Sequence, residues 1–203
     1  MKCNLILLLL SAILTSCSQN KAPALRTGDL LFFEADSTAH SSAIEQATHR
    51  DSTANYIHVA IIEICNDTSY LIEAVNRGVV REPWDIGSET RPFLIKRIKS
   101  ETLAQQAVER AKNYIGQSYD WYYTHDNGAM YCSELVYESY LNEDGSHIFN
   151  AIPMNFKASD GSMPEFWTSL FARLGSPVPE GMPGTNPNSI ARTENVFTET
   201  EIL

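Results

Sequence analysis

The stretch Tyr56-Ile57-His58-Val59-Ala60-Ile61-Ile62-Glu63-Ile64-Cys65-Asn66-Asp67-Thr68-Ser69-Tyr70-Leu71-Ile72-Glu73-Ala74-Val75 decides the fold. Residues 56 to 64 and 70 to 75 are rich in isoleucine, valine and tyrosine, and Asn66-Asp67 between them is a turn signal, so an antiparallel hairpin is predicted. A loop with an even number of residues centred on Asn66-Asp67 sets Ala60 opposite Glu73. Side chains alternate along a strand, so residues 58, 60, 73 and 75 then share one face. His58 lies diagonal to Glu73, about 7–8 Å away, within reach of a glutamate. An odd loop would break this relation. Glu73 is thus placed to accept a hydrogen bond from one imidazole nitrogen and to fix the tautomer of the other. The alternative, a strand carboxylate pointing to water, fits poorly with its neighbours Leu71, Ile72, Ala74 and Val75.

Outward from the hairpin, Gly28-Asp29 is a turn signal before a short apolar run near 30–34, and residues 93–98 supply a further strand. Ser41 to His49 reads as a short helix. From Glu101 onward Leu103, Ala107, Ala111, Tyr114 and Ile115 recur at helical spacing, with Thr102 and Gln105 as a capping box and Gly116 as the stop. Cys132 to Leu141 carries Leu135, Val136 and Tyr140 on one side and forms a helix that begins at or just before the cysteine. A third opens at Ser162-Met163-Pro164-Glu165, with Ser162 as its cap, and ends at Gly175. The prolines, glycines and asparagines of 177–188 suit an ordered loop or a flexible end equally. The expected architecture is α+β: one domain over residues 28–203, with an antiparallel sheet packed against the helix that carries Cys132.

The amino terminus has a different composition. Met1-Lys2, an apolar block from Leu5 to Leu14 and Thr15-Ser16 before Cys17 make a secretory signal too short to span a bilayer. Leu14-Thr15-Ser16-Cys17 also resembles the bacterial lipobox, in which the cysteine becomes the acylated first residue. Residues 1–16 are therefore expected to be a lipoprotein signal peptide, Cys17 the lipidation site and 17–27 a tether. That implies a membrane-anchored protein of the cell envelope.

The formal net charge is −10, and removal of the leader, with Lys2 as its one charge, makes it more negative. Such a surface repels phosphate backbones, so nucleic acid is not an expected partner and any membrane attachment must be covalent. Once Cys3 and Cys17 are set aside, Cys65 and Cys132 remain, which is no disulfide framework. The sequence has no Gly-x-Ser-x-Gly, no His-Glu-x-x-His, no Cys-x-x-Cys and no phosphate-binding glycine loop, and it implies no metal or cofactor.

A thiol attacks as thiolate and needs a helix N-terminus, an imidazolium or both to stabilise the charge. Cys132 has the first by position, although on position alone a buried structural cysteine fits as well. Of the five histidines only His58 falls inside a predicted strand. His40, His49, His125 and His147 read as surface residues at helix ends and turns. Trp121, Tyr122 and Tyr123 read either as packing or as the lining of a cleft, and Tyr131 and Gln46 are adjacent candidates for substrate contacts.

These elements, in order, resemble a known family: Gly28-Asp29-Leu30, Ala43-Ile44-Glu45-Gln46-Ala47-Thr48, Tyr56-Ile57-His58-Val59, Ile72-Glu73-Ala74-Val75, Gly116-Gln117-Ser118-Tyr119-Asp120 and Tyr131-Cys132-Ser133-Glu134-Leu135-Val136. The family is the YiiX/YebB-like group of circularly permuted, NlpC-type papain-like cysteine hydrolases, in which the histidine precedes the cysteine. The resemblance covers roughly residues 26 to 140. It implies Cys132 as nucleophile, His58 as base and Glu73 as orienting residue, acting on amides such as cell-wall peptides or amino-acid conjugates. Two other readings stay open: a lipid-directed acyl hydrolase or acyltransferase, and a non-catalytic binding lipoprotein.

Overall fold

The computed structural model describes residues 24–48 and 55–202. The expected signal peptide, Cys17, most of the tether and His49 lie outside the described residues.

The hairpin forms as its sequence requires. Strand β2 (Tyr56–Cys65) pairs antiparallel with β3 (Thr68–Val75), from Cys65 opposite Thr68 to Ile61 opposite Ile72. Two residues close the loop, an even number. Asn66 and Asp67 both take left-handed φ angles, 49° and 58°, as a two-residue turn matched to strand twist demands. Around this hairpin the sheet adds β1 (Asp29–Glu34), β4 (Gly78–Pro83) and β5 (Phe93–Ile98), and its edge is the C-terminal strand Phe197–Ile202. The six strands run in the order C-terminal strand, β5, β1, β2, β3, β4, with every pairing antiparallel.

Both faces of the sheet are covered. Val59, Ile61, Ile72 and Ala74 face α2 (Glu101–Lys112) and α3 (Cys132–Ser139), meeting Ala107, Ala111, Leu135 and Val136. On the other face Leu31, Phe33, Ala60 and Ile62 lie under Leu25, Trp84 and Ile86. A strand covered on both sides has no polar face, which explains the unbroken Leu30-Leu31-Phe32-Phe33 run. Gly28 leads into it at φ 83°, where a Cβ would come 2.5 Å from Ala104 Cβ, so the approach of the chain to α2 requires glycine.

A third cluster packs beside the sheet's end. Trp167, Leu170 and Phe171 of α4 (Glu165–Leu174) meet Ala43 of α1 (Ala39–Thr48) together with Tyr123, Tyr131 and Phe156. Trp167 is 2% exposed, and its truncation to alanine costs about 3–5 kcal/mol in such a setting.

Several boundaries differ from the sequence reading. Helix α2 is capped by Ser100, whose side chain accepts from Leu103 N, and not by Thr102. Helix α4 starts at Glu165 behind Pro164 because the Ser162 hydroxyl is already bonded to Asp160 in the preceding turn. Beyond Pro177 the chain is ordered against the core. A short helix α5 (Pro187–Ala191) buries Ile190 and Ala191, and buried Asn188 bonds the backbone of Tyr56 and the side chains of Thr48 and Asn55.

Candidate active site

The β2–β3 pairing ends at Ile61 and Ile72, and beyond it the site is built. His58 stacks on Phe33 with ring centroids 5.8 Å apart, and its Nε2 lies 2.5 Å from Glu73 Oε2, so the expected diagonal contact is made. His58 and Cys132 line one cleft, close enough that Cys132 acts electrostatically on the imidazole. With Nε2 committed to Glu73, the other ring nitrogen is left without a side-chain partner in Glu73. Cys132 is the first residue of α3, where the N–H groups of the opening turn have no helical partners and the helix dipole favours negative charge. Glu134 completes that end by accepting from Tyr131 N at 3.3 Å. The structure therefore brings together all three residues singled out in the domain: Cys132, His58 and Glu73.

The electrostatics follow from this contact. Burial works against a charge on His58, but the influence of Cys132, followed by that of Glu73, outweighs it and pushes its pKa up to about 10. Burial likewise opposes ionisation of Glu73, and the hydrogen bond and charge of His58, with more distant help from Arg91 and Arg77, hold its carboxyl below the ordinary range.

Two spaces meet at Cys132. One is an open cleft of about 1110 Å³ whose lining includes Asp36, His40, His58, Glu73, Arg91 and Trp121. The other is a small, mainly apolar pocket whose lining includes Ile44, Met154, Phe156 and Trp167. Ile44, Ile57 and Tyr119 line both. The two-residue strand Ser118–Tyr119 pairs in parallel with Ala129–Met130, which sets Tyr119 beside Met130, close in sequence to Cys132. Asp120, fully buried, accepts from Tyr122 N at 2.8 Å and Thr124 N at 2.7 Å and so shapes the turn that follows.

The sequence reading missed one residue here. His40 is not a surface histidine. Its ring stacks on Phe166, meets Trp167 edge-on, and its Nε2 lies 2.7 Å from the Tyr123 hydroxyl. His125 and His147 are half-buried: the first lies 3.2 Å from a Glu134 oxygen and the second stacks on Tyr137 at 3.8 Å. Of the aromatic run, Trp121 lines the cleft and Tyr123 the pocket, while Tyr122 is exposed. Tyr131 lines the pocket and its hydroxyl accepts from Thr185 N, whereas Gln46 is exposed and bonded to Ser42. Cys65 and Cys132 are both free thiols.

A sheet histidine held between a carboxylate and the thiol at a helix start, with histidine ahead of cysteine in the chain, is the arrangement of a papain-like fold in permuted order. The chain belongs to the permuted papain-like amidases of the YaeF/YiiX, C92 family, whose model matches residues 24–198. It is 30% identical over 161 residues to the uncharacterized protein YiiX of Escherichia coli K12, a match spanning 76% of this chain and 75% of that one. It also superimposes, with a TM-score of 0.68 and 25% identity, on the crystal structure of a protein from Escherichia coli O157:H7 described as metalloprotein YiiX. That superposition covers 87% of this chain and 97% of the other. Among the described residues of this chain, no group of three or more His, Cys, Asp or Glu side chains could hold a metal ion.

Proposed function

We propose that this protein hydrolyses amide bonds through Cys132, with His58 as acid and base and Glu73 as the group that orients and charges His58. The observation that carries this reading is the position of His58, 2.5 Å from Glu73 and lining one cleft with Cys132 at the start of α3, where Cys132 acts on it electrostatically. The Cys132 thiolate attacks the carbonyl carbon and a carbon–sulfur bond forms. The carbonyl electrons move to oxygen, where the free N–H groups of the first turn of α3 and the hydroxyl of Tyr119 receive the charge. On collapse the carbon–nitrogen bond breaks, and the amine leaves with the proton of His58. Neutral His58 then takes a proton from water, the hydroxide attacks the thioester, and Cys132 departs as thiolate.

The open cleft, with Asp36, Arg91 and Trp121, suits a polar amide such as a cell-wall peptide or an amino-acid conjugate. The apolar pocket favours a second reading, a lipid-directed acyl hydrolase or acyltransferase. Incubation with peptidoglycan peptides, aminoacyl amides and acyl-lipid vesicles, with the acyl–Cys132 intermediate trapped and weighed, separates the two. Acylation by lipids alone rejects the amide reading, and no acylation by any of them rejects both in favour of a binding lipoprotein. The same proposal places the protein in the cell envelope, held to a membrane by lipid on Cys17. Cys17→Ser should release it from membranes with its hydrolytic domain unchanged, and persistent attachment would refute the anchor.

A further inference from the structure

A chain of three side chains runs from α1 to the two spaces that Cys132 lines. His40 Nε2 is 2.7 Å from Tyr123 Oη, and Tyr123 Oη is 3.4 Å from Tyr119 Oη. Tyr119 lines both spaces beside Cys132, and negative charge on that sulfur bears on the hydroxyls of Tyr119 and Tyr123. Burial keeps both phenols protonated, so each has one proton to give. Tyr123 is held at φ 53°, a left-handed conformation costly for an aromatic residue, in the turn that the Asp120 carboxylate shapes through Tyr122 N and Thr124 N.

We propose that His40 is a positioning residue which, through Tyr123, turns the Tyr119 hydroxyl toward the oxyanion formed on Cys132. This rests on the hydrolase reading above. The argument is one of counting protons. If His40 Nε2 carries hydrogen, it donates to Tyr123, Tyr123 donates to Tyr119, and the Tyr119 proton is free for the substrate oxygen. If Nε2 is bare, the chain reverses and the Tyr119 proton is spent inside the protein. The aromatic box and the nearby charge of His58 keep His40 neutral, so it has a single ring proton and its tautomer sets the direction of the whole chain. Negative charge growing at the Tyr119 end polarises the chain toward the donating direction.

The test separates reactions with and without an oxyanion. On the full chain in detergent, acylation of Cys132 by p-nitrophenyl acetate passes through a tetrahedral oxyanion, whereas alkylation by iodoacetamide does not. Both are followed at Cys132 by peptide mass spectrometry. Tyr119→Phe should slow acylation by roughly a hundredfold, as loss of one oxyanion donor does. His40→Phe, which keeps the stacking on Phe166, should slow it about tenfold, the worth of one well-aimed neutral hydrogen bond. Alkylation should stay close to wild type in both. The double variant should be no slower than Tyr119→Phe, because His40 acts only through that hydroxyl, and His40→Gln, which keeps an N–H donor, should recover most of the loss. The proposal fails if His40→Phe leaves acylation intact, if it slows alkylation equally, or if the double variant multiplies the two losses. Wild-type Cys132 that is alkylated but never acylated would overturn the hydrolase reading itself, and this inference with it.

Discussion

Two imidazoles share the cleft beside Cys132 and are driven in opposite directions. His58, between a carboxylate and a thiol, is pushed up to about 10, and His40, among aromatic rings, is pushed down to about 4. Burial disfavours the charge of both. For His58 the charges of Cys132 and Glu73 outweigh that penalty. For His40 the penalty stands, and the neighbouring His58 cation adds to it while Asp36 opposes it only weakly. The same residue type is thus held as a cation beside Cys132 and kept neutral a short distance away. The difference comes wholly from what each ring touches.

The largest effect should come from breaking the charged member of this pair. On the proposed roles, Cys132→Ala and His58→Ala should each reduce amide turnover by about 10⁴-fold or more, and the double variant should be no worse, since a nucleophile and its base act as a unit. Both proteins should fold with a native circular-dichroism spectrum. Residual turnover within tenfold of wild type in either variant would show that the chemistry lies elsewhere.

Glu73→Gln should cost less, about 10–10²-fold, the worth of a charge-assisted hydrogen bond. Its pH dependence has a definite sign. His58 is above its ordinary value partly because Glu73 is negative, so loss of that charge lowers the His58 pKa. The alkaline limb of kcat, near pH 10 in the wild type, should move to lower pH in Glu73→Gln. An unmoved or upward-moving limb would mean that Glu73 does not hold the His58 proton.

What the sequence disclosed follows the same division. His58 and Glu73 could be related because a two-residue turn and a period of two fix register by counting, and Cys132 could be set at a helix start from Leu135, Val136 and Tyr140. His40 gave no such signal. It sits in Ala39-His40-Ser41-Ser42, a polar start to a helix, and its partner Tyr123 is 83 residues away. The C-terminal region was opaque for the same reason. Asn188 stands in a stretch whose composition reads as a loop, yet it is buried and bonds Tyr56, Thr48 and Asn55 across the fold. Local periodicity reports elements, and long-range polar contacts leave no trace in it.

A third ionisable group tests whether burial acts alone beneath α3. Glu134 is pushed up to about 8, first by burial and then by the Asp120 carboxylate. Its folded pKa lies above the ordinary 4.5, so its contribution to stability is complete below about pH 4.5 and is lost as pH rises through about 8. Glu134→Gln, which can still accept from Tyr131 N, should match wild type near pH 4.5 and exceed it by up to about 4 kcal/mol near pH 9. Denaturant melts at the two pH values check this. A constant difference between the proteins would mean that burial does not hold the Glu134 proton.

The smallest effect sharpens the comparison most. Phe166 stacks on His40 with ring centroids 4.9 Å apart and planes 19° from parallel, and it belongs to the box that keeps water from that imidazole. Burial is the leading cause of the depressed His40 pKa, so Phe166→Ala should let water in and raise it from about 4 toward 6.5. His58 is governed by Cys132 and Glu73, contacts that this substitution leaves in place, and its pKa should stay near 10. Histidine ring signals followed by NMR from pH 3 to 11 would resolve the two titrations in one sample. At pH 5 the variant should then carry a partly protonated His40 facing the His58 cation, and turnover there should fall modestly against its value at pH 8, where His40 is neutral again. A rise in the His40 pKa with no change in His58 would establish that solvation sets one ring and charge the other. Movement of both together would show that the cleft titrates as a single coupled unit, and the contrast drawn between the two histidines would fail.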